Sequence, residues 1–252
     1  HCRGRQGEMC IRGGAITGVS VETVTIDAGT GTTSVAAIGS STQIGALSIG
    51  SSDNGGITLN GAIVTDGAVT IDGPVTLATG AVSVTTANDA ITFNHSIDGG
   101  QALTLVAGTA ATAIQGEIGG STAISSLTIT NGTANGTIEI TNIGGVTGAT
   151  AIGNTNTGTI TLDGTAYTTT GTQTYTAATG QNIDITGVAT FTTTNSNIGF
   201  ATAGVDLAND GTTTINTGTG AGDVTFGGAI ETDADDDDLL VVTSGTGDVT
   251  FT

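Results

Sequence analysis

One phrase of the sequence occurs twice near its C-terminal end. Residues 220–226 read GAGDVTF and residues 245–251 read GTGDVTF, so the phrase returns at a 25-residue interval. Two further apolar pieces, residues 229–230 and 239–242, lie between the copies. One repeat therefore predicts three short strands separated by turns. Because so small a unit cannot bury its apolar face alone, such repeats stack into a continuous core.

Apolar–polar–apolar triplets bounded by turn residues recur along the rest of the chain. In an extended strand, the two apolar side chains of a triplet point to one face and the polar side chain points to the other. Nowhere do apolar residues keep the helical i, i+3, i+4, i+7 spacing for more than a turn. The triplets are residues 57–59, 69–71, 75–77, 82–84, 91–93, 103–105, 127–129, 138–140, 160–162, 183–185, 224–226 and 249–251.

The repeat and the triplets together predict an all-β fold, a parallel β-helix (β-solenoid) with about three short strands per coil. Such a chain makes about ten coils, and at about 4.8 Å per coil the rod is roughly 50 Å long. The predicted domains are an atypical, basic, Cys-containing segment, residues 1–14, and a β-solenoid repeat domain, residues 15–252. Two successive β-sandwiches are the alternative fold, but they do not account for the 25-residue repeat.

The composition suits this fold and excludes several functions. The 43 Gly residues suit sharp corners, and the 55 Thr residues suit ladders of β-branched side chains. Acidic residues outnumber Lys plus Arg by 22 to 3, and the basic residues Arg3, Arg5 and Arg12 all precede residue 13. The body of the chain thus lacks the cations that nucleic-acid binding and most phosphoryl-transfer chemistry need. Since no apolar run approaches about 18 residues, no membrane insertion is expected.

Cys2 and Cys10 are the only cysteines of the chain. They predict a disulfide in an oxidising compartment, either within one chain or between neighbouring chains. A metal site is the alternative, but it would need a further ligand besides the two thiolates and His1.

The densest group of charges is an acidic run just before residues 239–242. Five carboxylates so close together repel one another, and Ca²⁺, which prefers oxygen ligands from flexible loops, would relieve that repulsion. A solvated acidic turn is the alternative, and the spacing does not match an EF-hand loop. The residues of the predicted calcium site are Asp233, Asp235, Asp236, Asp237 and Asp238.

The residues give little support to catalysis. His1 and His95 are not set in a Ser, Cys or Asp pattern typical of hydrolases. A glycosidase would have to take its paired carboxylates from the single acidic run. The chain is therefore expected not to be an enzyme, and a carbohydrate-active β-helix enzyme is kept as an alternative.

Two binding functions are further alternatives. Carbohydrate at a host surface or in a matrix is one ligand class, for which only Tyr167 and Tyr175 offer aromatic rings as platforms. A flat array of Thr side chains would be similar to the ice-binding face of solenoid antifreeze proteins. The Thr residues of such an array are Thr168, Thr169, Thr170, Thr172, Thr174, Thr176, Thr190, Thr192, Thr193, Thr194, Thr212, Thr213 and Thr214.

The GDVTF phrase, with the GGAI that follows its first copy, resembles the β-strand repeats of large secreted bacterial exoproteins, the filamentous-haemagglutinin-like and autotransporter-type adhesins. The resemblance covers roughly residues 15–252 and is one of repeat style; residues 1–12 depart from it. It implies a right-handed parallel β-helix, export across the envelope, and a shaft or fibre at the cell surface. It transfers no catalytic residue.

The expected function is therefore structural and non-enzymatic: the shaft of a surface adhesin, or a self-assembling subunit of an extracellular filament. The expected location is extracellular or at a bacterial cell surface. The last copy of the repeat is not followed by a polar cap. The sequence is therefore expected to be either one segment of a longer protein or a subunit whose exposed strand edges favour end-to-end self-association into fibres.

Overall fold

The structure is a computed structural model that describes residues 16, 22–51, 55–132, 135–232 and 238–252. Every regular element in these ranges is a β-strand. The 27 strands are β1 (Val24–Ile26), β2 (Thr33–Val35), β3 (Leu47–Gly50), β4 (Ile57–Leu59), β5 (Ile63–Thr65), β6 (Val69–Asp72), β7 (Val75–Leu77), β8 (Val82–Thr86), β9 (Ile91–Phe93), β10 (Ile97–Asp98), β11 (Ala102–Val106), β12 (Thr112–Ile118), β13 (Ser126–Thr130), β14 (Ile138–Val146), β15 (Thr150–Gly153), β16 (Ile160–Leu162), β17 (Ala166–Thr169), β18 (Gln173–Thr176), β19 (Asn182–Ile185), β20 (Thr190–Thr192), β21 (Ile198–Ala201), β22 (Gly204–Leu207), β23 (Thr212–Asn216), β24 (Val224–Phe226), β25 (Ile230–Thr232), β26 (Leu239–Thr243) and β27 (Val249–Phe251).

The strands form three faces that wind around one axis, and neighbouring strands within a face are parallel. Face 1 consists of β1, β3, β6, β9, the first part of β12, the first part of β14, β16, β19, β22 and β25. Face 2 consists of β2, β4, β7, β10, the second parts of β12 and β14, β17, β20, β23 and β26. Face 3 consists of β5, β8, β11, β13, β15, β18, β21, β24 and β27. The predicted parallel β-solenoid with roughly three strands per turn is therefore confirmed.

Turn length varies more than the repeat near the C-terminal end indicates. On face 1, Ile91 pairs with Thr112 one turn later, and Thr112 pairs with Ile138 after a distinctly longer turn. The solenoid has about nine turns, where the 25-residue spacing predicted about ten.

Burial alternates along the strands as the triplets predicted. In β4, Ile57 and Leu59 are each 1% exposed, while Thr58 between them faces outward. The inward side chains of successive turns stack on one another, so the core is a narrow column along the axis. Because each inward residue is aligned with one in the turns before and after, its burial depends on the register of the parallel strands.

The corner between faces 2 and 3 is held by side-chain hydroxyl groups. The Thr217 hydroxyl donates a hydrogen bond of 2.8 Å to the Gly222 carbonyl, and the Ser244 hydroxyl donates one of 2.8 Å to the Gly247 carbonyl. Each bond satisfies a carbonyl at a corner that the strand ladders leave unpaired. The corner residues of successive turns are Thr169, Thr193, Thr217 and Ser244.

The core becomes aromatic toward the C-terminal end. Tyr175, Phe200, Phe226 and Phe251 are aligned on face 3, and neighbouring rings are stacked with centroids 5.1–5.3 Å apart. Phe191, on face 2, meets Tyr175 and Phe200 edge-on. Six of the seven aromatic residues of the chain thus belong to one group of rings in the last turns, while Phe93 lies in β9 nearer the N-terminal end.

Candidate functional site

Most of the predicted disulfide and calcium residues lie outside the described residues: Cys2, Cys10, Asp233, Asp235, Asp236 and Asp237. Of the acidic run, Asp238 is described. Its Oδ1 accepts a bond of 3.3 Å from the backbone N–H of Asn209, and its Oδ2 is buried without a hydrogen-bond partner in the described structure. In the described ranges, no group of three or more His, Cys, Asp or Glu is arranged to hold a metal ion.

The calcium site stays a prediction with a direct test. If the acidic run binds Ca²⁺, removing the ion with a chelator should lower the midpoint of thermal unfolding, because binding to the folded state alone stabilises it. The calcium-saturated chelator, which cannot remove further Ca²⁺, is the control. An unchanged midpoint would remove the calcium hypothesis.

The predicted Thr array is divided among three environments. Thr168 and Thr192 are aligned on the outside of face 2, whereas Thr174 and Thr176 lie on the outside of face 3. A third group is buried inside the solenoid: Thr169, Thr193 and Thr213. The thirteen residues therefore do not form one flat surface. A residue's face depends on the lengths of the preceding turns, so clusters of Thr along the sequence do not become clusters in space.

Face 3 carries a different array, which the sequence analysis missed. Its strands present two parallel outer rows of small uncharged residues, about 6.6 Å apart along each strand and about 4.8 Å from turn to turn. The first row is Ser83, Thr104, Thr128, Ala151, Thr174, Gly199, Thr225 and Thr250. The second row is Val64, Thr85, Val106, Thr130, Gly153, Thr176 and Ala201. Neighbouring members of a row lie one turn apart in the sequence, and the number of residues in a turn varies. This uneven interval is the only sign of the rows in the sequence.

The outside of face 1 carries a row of acidic residues. Asp184, Asp206 and Glu231 are aligned on successive strands, one strand spacing apart. Beside the last two lies a cleft of about 280 Å³, which Gln181 and Asn182 also line. Burial, and secondarily the charge of Asp206, raise the pKa of Asp184 above its ordinary value. The Asp184 Oδ1 atom is buried without a hydrogen-bond partner among the described residues.

Replacing Asp184 with Asn should raise the stability of the protein. Like charges aligned on neighbouring strands cost roughly 0.2–1 kcal/mol, so the unfolding midpoint at neutral pH should rise by up to about 4 °C. Folding raises the pKa of Asp184. The folded state therefore binds the carboxyl proton of Asp184 more tightly than the unfolded state does. Stability contributed by this group is therefore lost as the pH rises above about 3.8, through the folded pKa. Thermal unfolding between acidic and neutral pH should show the advantage of D184N shrinking as the pH falls.

Asp98→Asn is the matched control for D184N. The Asp98 Oδ1 atom accepts backbone N–H bonds of 2.8 Å from Ser121 and 2.9 Å from Thr122. Removing this charge weakens two favourable bonds and relieves no aligned carboxylate, so D98N should not stabilise the protein. Equal stabilisation by both variants would point to net charge rather than to the aligned row.

The two tyrosines that were considered as aromatic platforms for the carbohydrate-binding alternative are buried in the core. Tyr167 and Tyr175 are 0% exposed. The Tyr175 hydroxyl donates to Oε1 of the buried Gln173 at 3.0 Å, and the Tyr167 hydroxyl donates to the Ile140 carbonyl at 2.9 Å. Tyr167 stacks on Phe191 with ring centroids 4.7 Å apart. Each tyrosine occupies an inward position in its strand, so both rings point into the core. The idea that these two rings form a surface platform for glycan was therefore wrong.

Alkaline titration should report on the buried tyrosines. Burial raises the pKa of Tyr167 and of Tyr175 well above the ordinary value of about 10. Above that pH the unfolded chain loses tyrosine protons that the folded chain keeps, so stability should fall as the pH rises. Because the chain has just these two tyrosines, tyrosinate absorbance should increase together with the loss of β-sheet circular dichroism. Absorbance that increases while the sheet signal is intact would contradict the buried placement.

The repeated GDVTF phrase has a specific structural role between turns. The Asn197 Oδ1 atom accepts the backbone N–H of Asp223 at 2.9 Å, and the Asp223 Oδ1 atom accepts the backbone N–H of Asp248 at 2.9 Å. Each side chain therefore bonds to the backbone of the corresponding residue one turn later. The Asp of the phrase joins successive turns in register, just before the Val–Thr–Phe strand.

His95 lies on the outside of the solenoid, at the corner between faces 1 and 2. Its Nε2 atom is 3.3 Å from Oδ1 of Asp72, and the two side chains are 39% and 30% exposed. An exposed pair of this kind contributes at most about 1 kcal/mol to stability.

Comparisons with protein families, curated proteins and solved structures gave no match for this chain. In the described part of the chain, no helix is long and apolar enough to cross a membrane.

Proposed function

We propose that the chain is a structural, non-enzymatic rod, the shaft of an adhesin at the outer surface of a bacterial cell. The observation that supports this most is the unbroken ladder of parallel strands, which continues on face 1 from Val24 to Ile230. Nine turn-to-turn steps of about 4.8 Å place these residues roughly 43 Å apart. A rod of this kind separates what is attached to its two ends by a fixed distance.

The core supports a mechanical role. Apolar side chains that are nearly inaccessible to solvent line the whole column, from Ile26 at 1% exposure to Phe226 at 0%. Each turn is joined to the next by backbone hydrogen bonds on three faces and by side-chain bonds such as that from Asp248 to Asp223. Many hydrogen bonds between turns therefore resist stretching of the rod along its axis at the same time.

Deleting one complete turn tests the proposal. Removal of residues 69–90 takes out β6, β7 and β8 and brings Ile91 into register with Leu47. Since stability in solenoids comes from nearest-neighbour contacts, the shortened protein should fold. Bacterial cells that carry the shortened protein should still be labelled at their surface by an antibody against it. They should also still adhere. Loss of adhesion while the folded protein stays at the surface would contradict a pure spacer.

Removal of only residues 69–79 is the matched control for that deletion. Removing this half-turn places the face 3 strand β8 where the face 1 strand β6 was, so every later strand and corner falls on the wrong face of the turns before it. The half-turn variant should fail to fold, which separates loss of register from loss of length.

The two outer rows on face 3 support a second candidate function, binding to ice. Their small Ser, Thr, Ala, Gly and Val side chains repeat at regular intervals, and none of them is charged. Dilute protein should shape growing ice crystals. Thr128→Lys on face 3 should abolish the shaping, while Thr168→Lys, which adds the same charge on face 2, should leave it unchanged. Unshaped crystals with the unmodified protein would exclude this function.

A further inference from the structure

We infer that Asn135 is a site of spontaneous deamidation, and that the fold directs this modification to Asn135 rather than to the two other Asn–Gly pairs of the chain. The three pairs are residues 60–61, 131–132 and 135–136. Water is the only co-reactant. The inference does not depend on the proposed function, because it concerns the chemistry of one corner of the solenoid.

An Asn side chain is attacked most easily when Gly follows it, because Gly has no side chain to keep its backbone nitrogen away from the preceding carboxamide. The backbone nitrogen of Gly136 gives its proton to water and forms a bond to Cγ of Asn135. The bond from Cγ to Nδ2 breaks, and the side-chain nitrogen leaves as ammonia. Water then opens the cyclic imide at either of its carbonyl groups. The products are aspartate and isoaspartate, each of which adds one negative charge to the chain.

Asn135 is held by its backbone rather than by its side chain. It is exposed at the corner between faces 3 and 1, with a φ of 50°, a left-handed conformation that Asn adopts more readily than most residues. Its backbone N–H donates a hydrogen bond of 2.7 Å to the Asn156 carbonyl. No residue in the described ranges bonds to its carboxamide or accepts the backbone N–H of Gly136. The carboxamide can therefore turn toward the Gly136 nitrogen without breaking a bond to any described residue.

Asn131 is also followed by Gly, but its environment is the opposite. It is 0% exposed, and its Nδ2 atom donates a hydrogen bond of 2.9 Å to the Ala110 carbonyl. The backbone N–H of Gly132, whose nitrogen would attack, donates one of 2.6 Å to the Gly108 carbonyl. Both reacting groups are therefore bonded to the preceding turn. Deamidation of Asn131 requires this corner to open, and local opening of a packed segment is rare in the folded state.

The carboxamide of Asn60 is fixed by hydrogen bonds to both neighbouring turns. Its Nδ2 atom donates to the Ser34 hydroxyl at 3.1 Å and to the Val35 carbonyl at 3.3 Å. Its Oδ1 atom accepts the hydroxyl of Thr79 at 2.8 Å. Turning this carboxamide toward the next backbone nitrogen breaks all three bonds. Of the three Asn–Gly pairs, the pair at Asn135 is therefore the one that the fold leaves free to react.

Peptide mapping of the folded chain compares the three sites directly. The chain is incubated at mildly alkaline pH, samples are taken over time, and each is cleaved after Glu residues. One peptide, residues 118–139, carries both Asn131 and Asn135, and another, residues 23–117, carries Asn60. Fragmentation mass spectrometry locates the new acid within each peptide. Asn135 should be converted at least tenfold faster than Asn131 or Asn60.

The same chain unfolded in urea is the control for the effect of sequence alone. Without the fold, the three Asn–Gly pairs should react within threefold of one another. Equal rates at the three sites in the folded chain would overturn the inference. It would also be overturned if the folded chain kept Asn135 intact over the time in which the unfolded chain loses it.

Substitution of the reacting residue tests the assignment in the intact protein. Asn135→Gly removes the carboxamide and suits the positive φ of this position. Anion exchange separates the deamidated protein from the starting protein by its added charge. N135G should form the acidic species at least tenfold more slowly than the unmodified protein, whereas Asn60→Gly, the same change at a protected pair, should leave the rate within twofold. An acidic species that forms equally fast in N135G would assign the reaction to another residue and overturn the inference.

Discussion

Replacing Phe200 with Ala is expected to lower the free energy of unfolding by about 3–5 kcal/mol. Phe200 is 0% exposed and stacks between Tyr175 and Phe226, with ring centroids 5.3 Å away on each side. It also meets Phe191 edge-on at 5.5 Å. Truncation therefore removes the ring's own burial and leaves three neighbouring rings beside a cavity. Urea unfolding followed by circular dichroism measures the loss.

The Phe200 experiment has an outward control on the neighbouring strand. Thr225 is exposed on the outside of β24, and Thr225→Ala should change the stability by no more than about 0.5 kcal/mol. Because solenoid turns are stabilised mainly by their neighbours, F200A is also expected to unfold its C-terminal turns before the aliphatic N-terminal turns. A loss below about 1 kcal/mol for F200A would contradict a continuous aromatic stack.

Replacing Gly164 with Ala is expected to destabilise the protein by about 2 kcal/mol or more, because the added methyl group has no space. A Cβ atom built on Gly164 would overlap the carbonyl oxygen of Thr141, which belongs to the backbone of the preceding turn. A backbone atom cannot rotate away as a side chain can, so two turns must separate. The same urea titration measures the effect, and it should be accompanied by weaker protection of amide hydrogens near residues 141 and 164.

Gly199→Ala is the matched control, since the same chemical change is made where space is available. Gly199 lies on the outside of β21, and a Cβ atom there would contact nothing within 4 Å. Gly199→Ala should be neutral or should stabilise the protein by up to about 1 kcal/mol, by restricting the unfolded chain. Similar losses at both positions would mean that the turns are less closely packed than described.

The fold could be predicted because two independent signals agree. The triplets fix the strands and their inward residues: Ile57 and Leu59, for example, are buried as their spacing indicates. The 25-residue repeat fixes the stacking, and the structure pairs Val224, Thr225 and Phe226 with their copies one turn later. Local alternation and repetition are properties of the sequence itself, so no knowledge of tertiary contacts was needed.

The outer surfaces could not be predicted in the same way. Uneven turn lengths shift the sequence position of each aligned residue, and the acidic row of Asp184, Asp206 and Glu231 results from two unequal intervals. Nearby Thr residues such as Thr168 and Thr169 point to opposite sides of one strand. Surface chemistry in a solenoid is therefore distributed across turns, and uneven turn length hides it from inspection of the sequence.

The burial of Tyr175 could have been predicted from the sequence. Tyr175, Phe200, Phe226 and Phe251 recur at nearly equal intervals, which match the interval of the repeated phrase. Their spacing places them in one inward row. Considering Tyr175 as an isolated aromatic residue, rather than as a member of that row, led to the wrong expectation of a surface platform.

The most direct test of the rod is a set of distances measured along face 1. In a chain with Cys2 and Cys10 replaced by Ser, spin labels attached by cysteine substitution at Thr25 and Thr161, or at Thr25 and Glu231, occupy aligned outward positions. Six and nine turn-to-turn steps predict separations of roughly 29 and 43 Å, each with a narrow distribution. Distances that do not increase with the number of turns, as expected for two successive sandwiches, would contradict the solenoid.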